Sequence, residues 1–147
     1  MLKILKMSNN LVIKRSQLVE FPIVGTPATL RRYKARTIPN LSRNNIILYG
    51  IECYTEDQLA QTPSGEAVID TADANQVVLT LMDTDKNQFI YNCPIISLIR
   101  ENVGGFVTIF KPRLINLNDC YIQLTDATGI AAGENVVFNF YYELVGE

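Results

Sequence analysis

The sequence of 147 residues contains no histidine and no tryptophan. Without histidine, the chain cannot build a Ser-His-Asp or Cys-His nucleophile, an imidazole general base or a zinc site with histidine ligands. Without tryptophan, it lacks the commonest side chain for stacking against a sugar ring. Catalysis by carboxylates or by lysine stays open, but we predict a protein that is not an enzyme and that holds no cofactor and no metal.

Cysteine is scarce, and long apolar runs are absent. Cys53, Cys93 and Cys120 are too few and too far apart for a disulfide framework, and free cysteine among apolar neighbours behaves as a small buried hydrophobe. No apolar run approaches the roughly 18 residues that cross a bilayer. Residues 1–10 carry charges and lack the apolar core of a secretory signal. We therefore expect a protein made in a cytoplasm, without a signal peptide or a transmembrane segment.

Positive charge is concentrated in the first third of the chain. Residues 1–45 contain nine basic side chains and one acidic one, which gives a net charge of +8. Residues 46–147 contain four basic and fourteen acidic side chains, which gives a net charge of −10. This segregation indicates either a basic arm that meets an anionic partner or electrostatic association between copies.

The basic side chains of this region are the candidate site residues. On a strand, Arg32, Lys34 and Arg36 share one face, and three cations in a row repel each other unless an anion lies nearby. That anion would be a phosphate of nucleic acid or lipid, or the acidic rim of a neighbouring subunit. The alternative is a solvated edge strand whose charges block aggregation. The residues predicted to face an anion or a membrane are Lys3, Lys6, Lys14, Arg15, Arg31, Arg32, Lys34 and Arg36.

Short alternating segments predict a nearly all-β fold. The clearest is Val136–Leu144, and residues 45–54 are expected to place Ile47, Tyr49, Ile51 and Cys53 on one face. Apolar residues on the opposite face, Ile46, Leu48 and Tyr54, suit a two-sided core or an oligomer contact. We predict an antiparallel β-sandwich of about eight strands. Further strands are expected within residues 29–37, 66–71, 76–82, 88–91, 106–111 and 119–125, and a short helix is expected over residues 94–102.

Two segments divide the chain. Residues 1–27 are predicted to form an N-terminal arm, because Pro22, Gly25 and Pro27 interrupt any helix and no period persists. Residues 28–147 are predicted to form the sandwich domain. Within the arm, residues 10–14 favour a short edge strand.

Acidic side chains form a partial calcium motif and several pairs. Asp83, Asp85 and Asn87 match the first ligand positions of an EF loop, but Gln88 stands where glycine is needed, so we interpret the segment as a polar hairpin turn. The pairs Glu56–Asp57, Asp70 with Asp73, and Asp83 with Asp85 lie in turn-like segments and indicate surface charge.

The layout resembles the single jelly-roll capsid proteins of icosahedral, tailless bacteriophages. The features that carry the resemblance are a basic N-terminal arm, about eight short strands, a late segment over residues 110–123 and a final strand over residues 136–144. In that family, the arm faces the genome, an inner membrane or a neighbouring subunit, and the sandwich packs beside its copies. The resemblance implies a vertex (penton) or minor capsid protein in the virion, with homo-oligomer and other capsid subunits as partners and no small-molecule substrate.

A binding module is the alternative. A fibre tip, or a carbohydrate- or peptide-binding sandwich, predicts a concave patch lined by tyrosine and little need for the basic arm. A histidine-free enzyme is a third possibility, and it requires carboxylates or a lysine that converge in a pocket.

Overall fold

The computed structural model describes residues 15–38, 41, 45–99 and 107–144, with the backbone alone at 107–110. Two four-stranded sheets face each other in this part of the chain. None of its helices is long and apolar enough to cross a membrane. The strands are β1 Arg15–Pro22, β2 Tyr33–Lys34, β3 Ile46–Tyr54, β4 Val77–Met82, β5 Gln88–Pro94, β6 Val107–Ile115, β7 Tyr121–Leu124 and β8 Asn135–Leu144.

The strand order is that of a jelly roll. The first sheet has the order β1-β8-β3-β6 and the second has the order β2-β7-β4-β5. Each of the first four strands therefore pairs, antiparallel, with one of the last four in reverse order: β1 with β8, β2 with β7, β3 with β6 and β4 with β5. Such nested antiparallel pairing of eight strands in two sheets defines the jelly roll. The predicted all-β, jelly-roll-like sandwich is confirmed.

The core lies between the two sheets, and one face of β8 contributes to it along most of the strand. Val136, Phe138, Phe140 and Tyr142 alternate along this strand, and all four side chains are buried. The ring of Phe138 packs edge-on against Phe21 of β1, with 5.5 Å between the ring centroids. Aromatic pairs prefer this edge-to-face arrangement, which adds about 0.5–1.5 kcal/mol to the burial itself. The predicted alternation of β8 is thus confirmed.

A β-bulge in β3 corrects the predicted faces of that strand. The register against β6 and β8 shifts between Leu48 and Gly50. An extra residue in one strand reverses the alternation beyond it. Ile46 and Leu48 therefore lie in the core before the bulge, as Ile51 and Cys53 do after it. The prediction that Ile47 and Tyr49 share a face with Ile51 and Cys53 is wrong.

The sandwich includes part of the segment that we assigned to the arm. Strand β1 covers Arg15–Pro22 and pairs with β8 along its whole length, and Val19 and Phe21 are fully buried. Pro22 does not interrupt this strand, because it is the last residue of a strand at the edge of the sheet, where a missing N–H costs little. The boundary at residue 27 is therefore wrong. Residues 1–14, with the strand predicted at 10–14, lie outside the described residues.

Three of the weaker predictions also need correction. The helix expected over residues 94–102 is, in its described part, a 3-10 turn at Ile95–Leu98, and Ile99 is already extended and bridges to Cys53. Residues 100–102 lie outside the described residues. The strand expected within residues 29–37 is reduced to the two residues of β2. Residues 66–71 form isolated bridges at Ala67 and Val68 and then enter α1, a helix of four residues, Thr71–Ala74.

The loops meet at two opposite ends of the sandwich. At one end, the backbone N–H of Ile23 donates to the backbone carbonyl of Glu134 at 2.9 Å, and the Gln76 side chain donates to the carbonyl of Asp126 at 2.6 Å. We call this the long-loop end, because residues 23–32, 55–76 and 125–134 meet there. At the other end, Lys86 forms an ion pair with Asp119 at 2.7 Å.

The three cysteines differ in burial, and we expect them to differ in reactivity. Cys53 and Cys120 are fully buried, and burial raises the pKa of the Cys53 thiol and raises that of Cys120 to about 12. Cys93 is only partly buried. Since the thiolate is the reactive form, a maleimide reagent should modify one thiol in the native protein and three after denaturation. The Cys93→Ser variant should lose the native reaction, and modification of a second thiol before unfolding would contradict this expectation.

Candidate functional site

Two of the predicted cations lie together on the outer face of the second sheet. Tyr33 of β2 points into the core, so its neighbours Arg32 and Lys34 lie on the opposite, exposed side. The Arg32 guanidinium lies 4.4 Å from the ring centroid of Tyr121, and Lys34 pairs with Tyr121 in the strand register. We call this group, Arg32 and Lys34 above Tyr121, the basic face.

The geometry of the basic face favours an anion. A guanidinium stacked on an aromatic ring keeps its N–H donors in the plane of the group, where they suit carboxylate or phosphate oxygens. Among the described residues, no carboxylate forms an ion pair with Arg32 or Lys34. The stacking on Tyr121 also restricts the arginine, so less conformational entropy is lost when an anion binds.

A shallow depression of about 370 Å³ lies next to the basic face on the same side of the sheet. Leu30, at its rim, is 90% exposed. The depression combines amide and hydroxyl groups with a few apolar side chains, which is the mixture found in small-ligand sites. It is lined by Thr29, Leu30, Val78, Asn92, Gln123, Leu124 and Thr125.

Arg36 does not belong to the basic face. Its guanidinium pairs with Glu20 at 3.6 Å and with Glu66, and its backbone N–H donates to the carbonyl of Glu20 at 2.7 Å. Glu20 also accepts from Ser64, and Glu66 accepts from the buried amide of Asn135. Arg36 therefore neutralises acids of its own chain and joins β1, the 55–76 loop and the start of β8. The prediction that it shares a face with Arg32 and Lys34 is wrong, because β2 ends at Lys34.

The other predicted cations are dispersed. Arg31 folds back over its own loop and donates to the carbonyls of Val24 at 3.1 Å and Thr26 at 3.5 Å. Gly25, with a φ of +70°, allows this approach, because a Cβ there would lie 2.9 Å from the Arg31 side chain. Arg15 is exposed at the start of β1, on the first sheet. Lys3, Lys6 and Lys14 lie outside the described residues.

An acidic cluster at the long-loop end combines Asp70 and Asp73 with Glu134, whose carboxylates lie within 4.8 Å of one another. The sequence pattern paired Asp70 with Asp73, but it gave no sign of Glu134, which the loop between β7 and β8 brings in. Burial first, and then the charge of Asp70, raise the pKa of Asp73. Burial and the charges of both aspartates raise the pKa of Glu134. The spacing would allow a shared cation, but acidic groups are common without one, and we assign no metal to the cluster.

Two further acids belong to internal hydrogen-bond networks. The Asp83 carboxylate accepts from the N–H groups of Asp85 at 3.0 Å and Asn87 at 2.9 Å, which forms the polar turn between β4 and β5. Glu52, which the alternation of β3 did not single out, is fully buried and accepts from the hydroxyls of Tyr54 at 2.6 Å and Tyr141 at 2.7 Å. Hydrogen bonds of this kind offset part of the cost of burying a polar group.

Comparison with known proteins gives no match. No family model, no curated protein and no solved structure shows a significant similarity to this chain. The resemblance to jelly-roll capsid proteins therefore stays a hypothesis based on layout.

Replacing Arg36 should destabilise the protein more than replacing Lys34. Arg36→Met leaves the Glu20 carboxylate, whose side chain is 10% exposed, without its cation. Because the Arg36 side chain is itself 38% exposed, we expect a loss of about 1–3 kcal/mol, below the cost of breaking a fully buried pair. The matched control, Lys34→Met, should change the unfolding free energy by less than about 0.5 kcal/mol. Urea denaturation measures both, and equal losses would contradict the assignment.

Removing one negative charge from the acidic cluster should stabilise the protein at neutral pH. Asp73 and Glu134 have raised pKa values, so the folded state binds protons more readily than the unfolded chain and stability falls as the pH rises above about 4. Asp73→Asn should therefore gain up to about 1 kcal/mol at pH 7, and the gain should shrink as the pH falls toward 4. Thermal unfolding against pH tests this, with Asp85→Asn as a control for net charge. A gain that does not depend on pH would contradict it.

Proposed function

We propose that this chain is a structural subunit of a virus particle, as a vertex or minor capsid protein. In this role, the sandwich is a rigid block that packs against copies of itself and against other capsid subunits. The basic residues before β1 would contact an anionic neighbour, which is the genome, an inner membrane or an acidic subunit surface. The particle would be its location.

The strand order is the observation that supports this proposal most strongly. Jelly rolls of eight strands are characteristic of viral capsid and lectin domains, in which a stiff sandwich presents loops at its ends for contacts. Here the sheets are joined by a continuous buried core, and the loops of residues 23–32, 55–76 and 125–134 meet at one end.

Exposed apolar side chains give this proposal a second line of support. Val24 is 59% exposed and Leu30 is 90% exposed, and both belong to the loop between β1 and β2 at the long-loop end. Apolar side chains of this kind, next to arginine and tyrosine, match the composition at the centre of protein interfaces. A contact between subunits would remove them from water.

A non-catalytic binding module is the second candidate. The depression beside the basic face favours it, because Asn92, Gln123 and Thr125 present hydrogen-bonding groups next to apolar surface. A fibre tip or a carbohydrate- or peptide-binding sandwich would use such a site as a monomer or as a small fixed oligomer. Its ligand binding would not depend on residues 1–14.

The mass of the purified protein in solution tests the proposal. We expect light scattering to show a closed ring or a larger particle at low salt and partial dissociation at moderate salt, because charge contacts weaken as salt screens them. Deletion of residues 1–14 leaves every residue of β1 in place, whereas deletion through residue 27 would remove a strand of the core. The shorter deletion should reduce assembly without loss of the folded spectrum.

A charge control and a contrary result complete this test. Replacing Lys3, Lys6 and Lys14 by serine keeps the length of the segment and removes its charge, which separates electrostatic from steric effects. A monomer at every salt and protein concentration would argue against the shell subunit. Retained binding of a carbohydrate or peptide by that monomer, and by the variant lacking residues 1–14, would support the binding module.

A further inference from the structure

The basic face carries two cations on a body that is otherwise acidic. The described residues contain eight basic and thirteen acidic side chains. Among them, Arg36, Lys86 and Arg113 form ion pairs with acids of the same chain, and the other five described cations form none. Of those five, Arg32 and Lys34 lie together over the same aromatic ring, that of Tyr121. An uncompensated positive spot in negative surroundings selects a partner that presents a compact group of carboxylates.

The chain presents such a group itself. In the acidic cluster, three carboxylates lie within 4.8 Å of one another, and no lysine or arginine of the described residues forms an ion pair with them. The raised pKa values of Asp73 and Glu134 have mutual repulsion among their causes, and a nearby cation would relieve that repulsion. The cluster therefore complements the basic face in charge.

We propose that the basic face of one copy contacts the acidic cluster of a second copy. This inference rests on the proposed function, since it names the surface through which the subunits would meet. The two surfaces are formed by different residues: Arg32 and Lys34 on one, and Asp70, Asp73 and Glu134 on the other. Such a contact is made either twice, across a two-fold axis, or head to tail, in which case repeated contacts close into a ring when the rotation between copies permits it.

Nucleic acid fits the basic face less well than a second copy does. Duplex binding commonly neutralises on the order of six to ten phosphates, and the basic face supplies two cations, Arg32 and Lys34. The thirteen acids of the described residues would repel a long polyanion. A compact carboxylate cluster needs only a small number of cations, and Leu30 beside the basic face, 90% exposed, adds an apolar contact suited to a protein surface.

Reversal of one charge on each surface tests the contact. Lys34→Glu changes the charge of the basic face from +2 to 0, and Asp73→Lys changes that of the acidic cluster from −3 to −1, so we expect each variant alone to associate at least about tenfold more weakly than wild type. An equimolar mixture of the two should recover association, because the unaltered basic face of one variant meets the unaltered acidic cluster of the other. The double variant, Lys34→Glu with Asp73→Lys, keeps neither surface unaltered and should remain weakly associated. Light scattering across a concentration series measures all four samples.

The controls separate this contact from folding and from net charge. Lys111→Glu makes the same charge change as Lys34→Glu on β6, at the edge of the other sheet, and should assemble as wild type does. Circular dichroism and urea unfolding identify any variant that fails to fold, and recovery in the mixture itself requires folded partners.

Three results would overturn the contact. If wild type assembles and both reversals assemble equally well, the contact is wrong and the shell-subunit role stands. If wild type stays monomeric at every salt and concentration, the contact and the shell-subunit role both fail. If Lys34→Glu loses binding to a single-stranded oligonucleotide while its mass distribution is unchanged, the basic face belongs to nucleic acid and not to a second copy.

Discussion

The position of β8 between β1 and β3 is the constraint on which the rest of the sandwich depends. This strand supplies Phe138 and Phe140 to the core and pairs along its length with both neighbours. Val19, for example, pairs with Phe138 from the opposite end of the described chain. Contacts between residues so distant in sequence must overcome the entropy of closing long loops, so jelly rolls fold slowly compared with helical proteins. The core is complete only when β8 is in place.

The sequence predicted the parts of the fold that depend on alternation alone. Strands β4, β7 and β8 have one apolar face each, and these faces are buried as predicted. The bulge at Tyr49 was not predictable from the sequence. Residues 46–51 are almost all apolar, so either set of alternate residues could form the buried face, and an extra residue leaves no visible break in the pattern. Strand β1 was missed since its polar and apolar residues follow no clear alternation and Pro22 suggested a break. Its partner β8 determines its conformation, and that pairing is invisible in a local pattern.

The candidate site was also predictable only where it depends on local spacing along the chain. Period-two spacing correctly placed Arg32 and Lys34 on one side of β2, because the two residues flank a buried tyrosine. The same spacing failed for Arg36, because this residue lies beyond the end of the strand. Its orientation is determined by ion pairs with Glu20 and Glu66, which are distant in sequence. The acidic cluster was predicted only in part, since Asp70 and Asp73 are close in sequence but Glu134 is distant from both. Long-range charge pairing, like long-range strand pairing, requires the folded structure.

The edge of the second sheet at β2 offers little backbone to another chain. A foreign strand extends a sheet only where a row of N–H and C=O groups is unpaired. Strand β2 is only two residues long, and the N–H of Arg36, just beyond it, already donates to the carbonyl of Glu20 in β1. Contacts made at this edge therefore depend on side chains, which exchange with water and salt. Such contacts are reversible, unlike the backbone ladders that make stacked β-strands in amyloid so difficult to separate.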